Sequence, residues 1–247
     1  MKLIPIIRRK RRQLLSSFGR ALTIHDVKIT VRKNYSRIIR SALINGTYEH
    51  SEAKLVQKHV RADDIVIDIG GGIGCIGCLA AKKAYLGHVF AVEANPEVLS
   101  DYSANIQLNK IKNATLLNAV LSDADGVCDF YVSHDFWASS LTPCKNLKKK
   151  IIVPKLNVES FIQKTKPTVI LLDIEGGEFD LLANPVFKNL EAPLTIICEM
   201  HRPQKKEEYT KISWLWDAPY KCSMRLPSLK KHLIRHDHQT LIFSKVE

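Results

Sequence analysis

The stretch Asp68-Ile69-Gly70-Gly71-Gly72-Ile73-Gly74 follows an apolar, β-branched run and leads into a segment of helical character. It fits D-x-G-x-G-x-G. Glycines suit such a turn because the chain must take positive φ and let a ligand approach the backbone closely, while the helix behind it offers free N–H groups. Gly72-Ile73-Gly74-Cys75-Ile76-Gly77 overlaps it and fits G-x-G-x-x-G, so a dinucleotide site has to be weighed as well.

Outward from this turn, short β-branched runs alternate with helical stretches. The expected strands are Ile65–Ile69, His88–Glu93, Ala114–Ala119, Thr168–Asp173 and Leu194–Glu199, and the expected helices are Ile73–Tyr85, Pro96–Asn109 and Glu178–Phe187. This βαβ succession predicts an α/β fold with a mostly parallel sheet. Beyond Glu199 the pattern predicts a Lys/Glu-rich helix over Pro203–Trp216 and a closing antiparallel hairpin of Tyr220–Leu226 with Gln239–Lys245. An insertion, Gly126–Lys155, carries a strand-like Cys128–Ser133, the loop His134–Pro143 and the basic run Lys145–Lys150. The N-terminal residues read as a helical segment with a short strand pair around Val27–Val31.

With 247 residues and 45% hydrophobic content the chain can fill a core, which excludes a disordered or collagen-like protein. No apolar run approaches the length of a membrane span. The net charge of +12 is concentrated: residues 1–40 hold twelve Lys/Arg against the single acid Asp26, leaving 25 basic and 24 acidic side chains elsewhere. The basic segment, with Ile7, Leu14, Leu15, Phe18 and Leu22 at helical spacing, is therefore expected to dock on an anionic membrane or RNA, separately from catalysis. A solvated helix packed on the domain is the plainer alternative. Six scattered cysteines do not form a secreted disulfide framework, and the charges of Met1–Arg12 follow its apolar stretch, the reverse of a secretory signal. A cytoplasmic protein, peripheral at a membrane if the basic segment docks, is expected.

Two acids bear on the cofactor. Asp68, ending the first core strand, would repel a pyrophosphate but suits the positively charged amino-acid end of S-adenosyl-L-methionine. Glu93, in Ala91-Val92-Glu93-Ala94-Asn95-Pro96, is placed to accept hydrogen bonds from both ribose hydroxyls of either cofactor.

The chain resembles the class I S-adenosylmethionine-dependent methyltransferases, and more narrowly the FkbM family. The resemblance rests on DIGGGIG at 68–74, AVEANP at 91–96, LLNAVLSDADG at 116–126, VPKLNVESFI at 153–162, LLDIEGGEFDLL at 171–182 and CEMH at 198–201. It implies a Rossmann-like sheet and an O-methyltransferase acting on a hydroxyl of a sugar, glycan, lipid or small molecule. Residues 61–247 would form the methyltransferase domain and 1–60 a basic N-terminal helical extension. Asp68, Gly70 and Gly72 become methionine-side contacts, Glu93 the ribose ligand, and Asn118 a contact near the adenine edge. Leu171 and Asn157–Val158 stand where the family frequently has a lysine and a Leu-Asp pair.

Methyl transfer needs an aligned acceptor oxygen and a group to take its proton. Asp173, Glu175 and His201 are the expected catalytic residues, with Glu178 and Glu199 beside them, and Asp173, Glu175 and His201 could together hold a magnesium ion. Asp173-Ile174-Glu175-Gly176 is not the Asp/Asn-Pro-Pro-aromatic segment of enzymes that methylate base amino groups. Cys75 and Cys78 form a CxxC without a second pair and read as packing, and Ser139 and Ser140 lack a nucleophile-elbow context. The 134–140 loop with Trp137 is expected to cover the substrate. The competing readings are an NAD-dependent oxidoreductase using Gly72–Gly77 and a catalytically silent cofactor-binding protein docked through its N-terminus.

Overall fold

The computed structural model describes residues 21–143, 146–190, 194–203, 205–217 and 219–245. The expected docking helix before residue 21 lies outside the described residues.

The first described elements are β1 (Leu22–Ile24) and β2 (Val27–Ile29), an antiparallel pair joined by His25 and Asp26, both at positive φ (48° and 65°). Two consecutive left-handed residues make a type I′ turn, whose twist matches the flanking strands. The strand pair expected around Val27–Val31 is thus shifted toward the N-terminus, and Leu22 belongs to a strand instead of the amphipathic helix. Helices α1 (Arg37–Asn45) and α2 (His50–His59) follow. Leu22, Ile24, Val27, Ile29, Leu43 and Val56, all nearly inaccessible, share one core with Val66 and Ala91 of the main sheet.

The central unit is β3 (Ile65–Ile69), α3 (Cys75–Lys83), β4 (His88–Val92), α4 (Pro96–Leu108) and β5 (Ala114–Leu117), continued by α5 (Val158–Thr165), β9 (Val169–Leu172), α6 (Glu178–Leu182), α7 (Pro185–Lys188) and β10 (Thr195–His201). A short α8 (Glu208–Lys211), β11 (Tyr220–Cys222), α9 (Leu226–Arg235) and β12 (His238–Lys245) complete it. The seven-stranded sheet has the order β11-β12-β10-β9-β3-β4-β5. β3, β4, β5, β9 and β10 run parallel, and β12 is antiparallel to both its neighbours. The strand period of two sorts the core: Val66, Val89 and Val169 face one layer of helices, Ile67, Val92 and Ile170 the other. The chain leaves β3 toward β4 on one side and returns through β9 on the other. The crevice between the C-terminal ends of β3 and β9 is therefore the topological switch point where such sheets bind ligands.

Three local expectations are corrected. The helix expected over Glu178–Phe187 is split, because Asn184 caps a new helix by accepting the Val186 N–H and Pro185 opens it. The Pro203–Trp216 helix shrinks to α8 and a 3₁₀ turn over Ser213–Trp216. The closing strands do pair antiparallel, but the polar stretch between them is α9 and no hairpin loop joins them.

The insertion forms a second sheet together with the strand that precedes it: β6 (Val120–Ser122), β8 (Leu147–Asn157) and β7 (Gly126–Ser133), in the order β6-β8-β7. The described part of the basic run lies in β8, where Lys148 and Lys149 both reach Glu97 (2.7 and 2.8 Å) and Lys150 reaches Asp129 (3.1 Å).

Candidate functional site

The glycine turn is built around two acids. Gly70 takes φ +80°, and a Cβ there would lie 1.8 Å from the Asp173 carbonyl oxygen, so this glycine lets the turn press against the end of β9. Gly72, at φ +52°, donates its N–H to Glu93 Oε2 at 2.9 Å, and the Asn95 N–H donates to Glu93 Oε1 at 2.7 Å. Each carboxylate oxygen of Glu93 thus holds one backbone donor and keeps a lone pair for a hydroxyl. Burial pushes the Glu93 carboxyl up to about 7, against the pull of these backbone donors. Asn118 donates its amide to the carbonyls of Glu93 and Ala94, both at 2.9 Å, and so pins the end of β4.

Asp68 lies beneath the turn, 4% exposed, its Oδ2 accepting from the Tyr102 hydroxyl at 2.7 Å. Burial raises its carboxyl to about 6, partly offset by that hydroxyl. This pair occupies the room left by Gly77, where a Cβ would sit 1.5 Å from the Tyr102 oxygen and 2.3 Å from Asp68 Oδ2. The third glycine of the apparent dinucleotide fingerprint therefore serves helix packing over an acid. Cys75 and Cys78 are buried in α3, their thiols held protonated by burial, Cys78 up to about 12, which disfavours metal ligation.

Across the crevice the loop after β9 is clamped by Glu178. This fully buried side chain accepts at Oε1 from the N–H groups of Ile174 (3.2 Å) and Gly176 (3.1 Å), and the same oxygen meets His201 Nδ1 at 3.0 Å. The other nitrogen of His201, Nε2, faces Glu175 Oε2 at 3.4 Å and Glu199 Oε1 at 3.9 Å. Burial alone would lower the His201 pKa, but Glu178, Glu175 and Glu199 together lift it to about 9. Burial and the neighbouring acids Glu199, Glu175, Glu178 and Glu49 hold the Asp173 carboxyl well above the carboxylate range. Glu175 and Glu199 are each raised to about 7, by burial first. Asp173 Oδ1 and Glu178 Oε2 have no hydrogen-bonding partner among the described residues.

The structure brings Asp173, Glu175 and His201 into one cluster, and it places Asp68, Gly70, Gly72 and Glu93 together across the same crevice. It adds residues that the sequence pattern did not single out. Glu49, at the start of α2 and at φ 49°, carries a buried Oε2 with no partner among the described residues, and its charge bears on Asp68, Asp173 and Glu199. Glu52 bonds the Thr240 hydroxyl, and His238 on β12 reaches Glu199 at 3.4 Å. No spacing rule marks these residues, since they come from a helix and a strand distant in sequence. Over the turn, Phe136 comes within 4.0 Å of where a Gly72 Cβ would be and packs edge-on against Tyr35, with Trp137 behind it. Ser139 and Ser140 are engaged in turn hydrogen bonds to Ser133 N and Thr142 O.

The arrangement of turn, second-strand acid and clamped D-I-E-G-G-E loop coincides with a match to the methyltransferase FkbM domain over residues 68–226. The chain belongs to the FkbM methyltransferase family. This FkbM domain is 33% identical over 142 residues to a ribosomal protein L11 methyltransferase of Clostridium perfringens, covering 56% of the chain and 45% of the relative. The chain thus spans under half the length of that relative. It is 24% identical to the hexuronic acid methyltransferase AglP of Haloferax volcanii, over 66% of the chain and 67% of the relative. Among solved structures, a methyltransferase from Pyrococcus furiosus aligns with 97% of the chain and 98% of its own at 15% identity, with a TM-score of 0.48.

Proposed function

We propose that this FkbM domain methylates a hydroxyl of a sugar or another polyhydroxylated acceptor with S-adenosylmethionine as donor. The observation that carries the reading is the close apposition of the Glu93 cup to the carboxylate–histidine cluster, through the contact of Gly70 with the Asp173 carbonyl. When bound, the cofactor supplies a sulfonium methyl group, a good electrophile. Glu93 would receive the ribose hydroxyls on its free lone pairs, Asn118 would keep the end of β4 in place near the adenine, and Asp68 would present negative charge to the ammonium end. Such a transfer would leave the acceptor's hydroxyl proton to be taken up, and Asp173, whose buried Oδ1 has no hydrogen-bonding partner among the described residues, would take it. His201, held between Glu178 and Glu175, orients that group of acids.

The hexuronic acid relative supports a sugar acceptor. The ribosomal protein relatives make a protein acceptor the alternative to be tested beside it. A cytoplasmic location is part of this proposal. Among the described residues no helix is long and apolar enough to cross a membrane. The test is a mass-spectrometric screen for a one-methyl mass gain across sugars, lipids, phenols and ribosomal protein. Asp173→Asn should cut turnover on the true acceptor by roughly 100-fold or more with little change in cofactor affinity. Full turnover in that variant would remove Asp173 from the chemistry, and methylation confined to protein would overturn the hydroxyl reading.

A further inference from the structure

We propose that Asp173, Glu178 and Nδ1 of His201 form a binding site for one divalent transition-metal ion. One ligand atom from each lies within 4.8 Å of the other two, a spacing that a central ion can bridge. Acids clustered beside a histidine are common without an ion, so the weight falls on two further observations.

The first is unsatisfied polarity. Glu178 is fully buried, and while its Oε1 is engaged by two N–H groups and His201, its Oε2 has no partner among the described residues. Asp173 Oδ1 is equally unpartnered. Buried carboxylate oxygens are ordinarily paired or coordinate a cation. Among the described residues, the ion-pair partners of Glu175, Glu178 and Glu199 are the imidazoles of His201 and His238. A dication would give Glu178 Oε2 and Asp173 Oδ1 the partner they lack among the described residues.

The second is the setting of His201. Nδ1 lies 3.0 Å from Glu178 Oε1, a separation that two ligands of one ion can also take, and Nε2 faces Glu175 at 3.4 Å and Glu199 at 3.9 Å. A metal-bound imidazole characteristically donates its other N–H to a carboxylate, which fixes the tautomer and sharpens the ligand. The second grouping around the same histidine, Glu199 with His201 and His238, is weaker, because His238 is 59% exposed and, among the described residues, no unpartnered buried oxygen belongs to it.

Two carboxylates and one imidazole suit manganese, iron or zinc better than magnesium or calcium, which favour all-oxygen sets. The site thus differs from the magnesium set read from the sequence both in its ligands, with Glu178 replacing Glu175, and in its ion. What the ion would do rests on the function proposed above: it would take an acceptor hydroxyl as a further ligand and ease loss of its proton, with Asp173 then holding the ion and Glu175 or Glu199 taking the proton in its place.

The experiment is titration of the full chain with manganese(II) alone, followed by the paramagnetic resonance signal of free ion, with S-adenosylhomocysteine binding measured on the same samples. One manganese ion per chain is expected, retained against tenfold excess magnesium. Asp173→Asn and His201→Gln should each weaken it at least tenfold, whereas His238→Ala should change it less than threefold. Retained S-adenosylhomocysteine binding would certify that each variant is folded. No manganese uptake by a chain that still binds S-adenosylhomocysteine would overturn the site and leave the methyltransferase reading intact. Uptake unchanged in Asp173→Asn and His201→Gln, lost only in His238→Ala, or reversed by magnesium would overturn it too. Manganese uptake that follows the expected variants without S-adenosylhomocysteine binding would support the site and count against the cofactor reading instead.

Discussion

At the scale of single residues, Glu93 and Asp68 are acids whose burial matters more than their neighbours' charges. Glu93→Ala should weaken S-adenosylhomocysteine binding by roughly 1.5–3 kcal/mol, through loss of charge-assisted hydrogen bonds to the ribose. Its pKa of about 7 adds a pH signature. Hydroxyl donors select the ionised form, so affinity should fall roughly tenfold between pH 8 and pH 6 as the competent fraction falls. Asp68 is the charged neighbour that bears on this group, and the backbone N–H groups of Asn95, Gly72 and Ala94 face it as neutral donors. A flat calorimetric pH profile would show that Glu93 does not meet the ligand. Ionised Asp68 destabilises the fold at high pH. A carboxyl raised from 3.8 to about 6 on folding contributes stability below about pH 4 and loses it as pH rises through 6. Asp68→Asn keeps an acceptor for Tyr102 and removes the buried charge. In thermal unfolding at pH 8 the ligand-free variant should therefore be more stable by up to about 3 kcal/mol, an advantage that shrinks at pH 5. The sequence makes Asp68 and Glu93 conspicuous because each ends a strand beside glycine or proline. Glu49 stays hidden, since its left-handed backbone and its approach to Asp68 come from tertiary packing alone.

At the scale of elements, α3 is bound by what lies under it. Its buried residues Cys75 to Ala81 leave no polar face in this stretch, and Tyr102 of α4 fills the space over Gly74 and Gly77. Gly77→Ala must displace a fully buried tyrosine or move the helix, at a cost of about 1–3 kcal/mol, readable as a lower denaturation midpoint with unchanged slope. Stability equal to the parent would mean that the Asp68–Tyr102 pair is not held against this helix. The parallel strands were legible because their runs are apolar on both faces, and α4 because Asn95-Pro96 is a strong start signal. Less legible were α9, whose polar residues hide buried Leu229 and Leu233, and the start of β8, where lysines disguise a strand paired along β7. Split α6 and α7 show the same limit: Pro185 was visible, but whether it opens a helix or kinks one depends on the cap before it.

For the whole molecule, the asymmetry of charge separates a basic leading segment from a nearly neutral body. Removing residues 1–20 should reduce salt-sensitive binding to anionic vesicles and leave S-adenosylhomocysteine affinity unchanged. If the intact chain binds neither such vesicles nor RNA at low salt, the docking expectation fails. Residues 22–60 are another matter, because they share the core and supply Glu49 and Glu52 to the crevice. The sheet order was readable only as far as the βαβ rhythm extends. The position of β12 between β10 and β11 has a consequence for how the chain is made. On the ribosome β11 emerges first, yet β12 is its pairing strand, so β11 must wait until residues 238–245 have left the exit tunnel. Until then β10 also shows a bare edge, and the crevice lacks both His238 and the Thr240 link to Glu52. A nascent chain in that interval is half-zipped and open to pairing with a neighbour, so the final strand acts as the closing stitch of the fold.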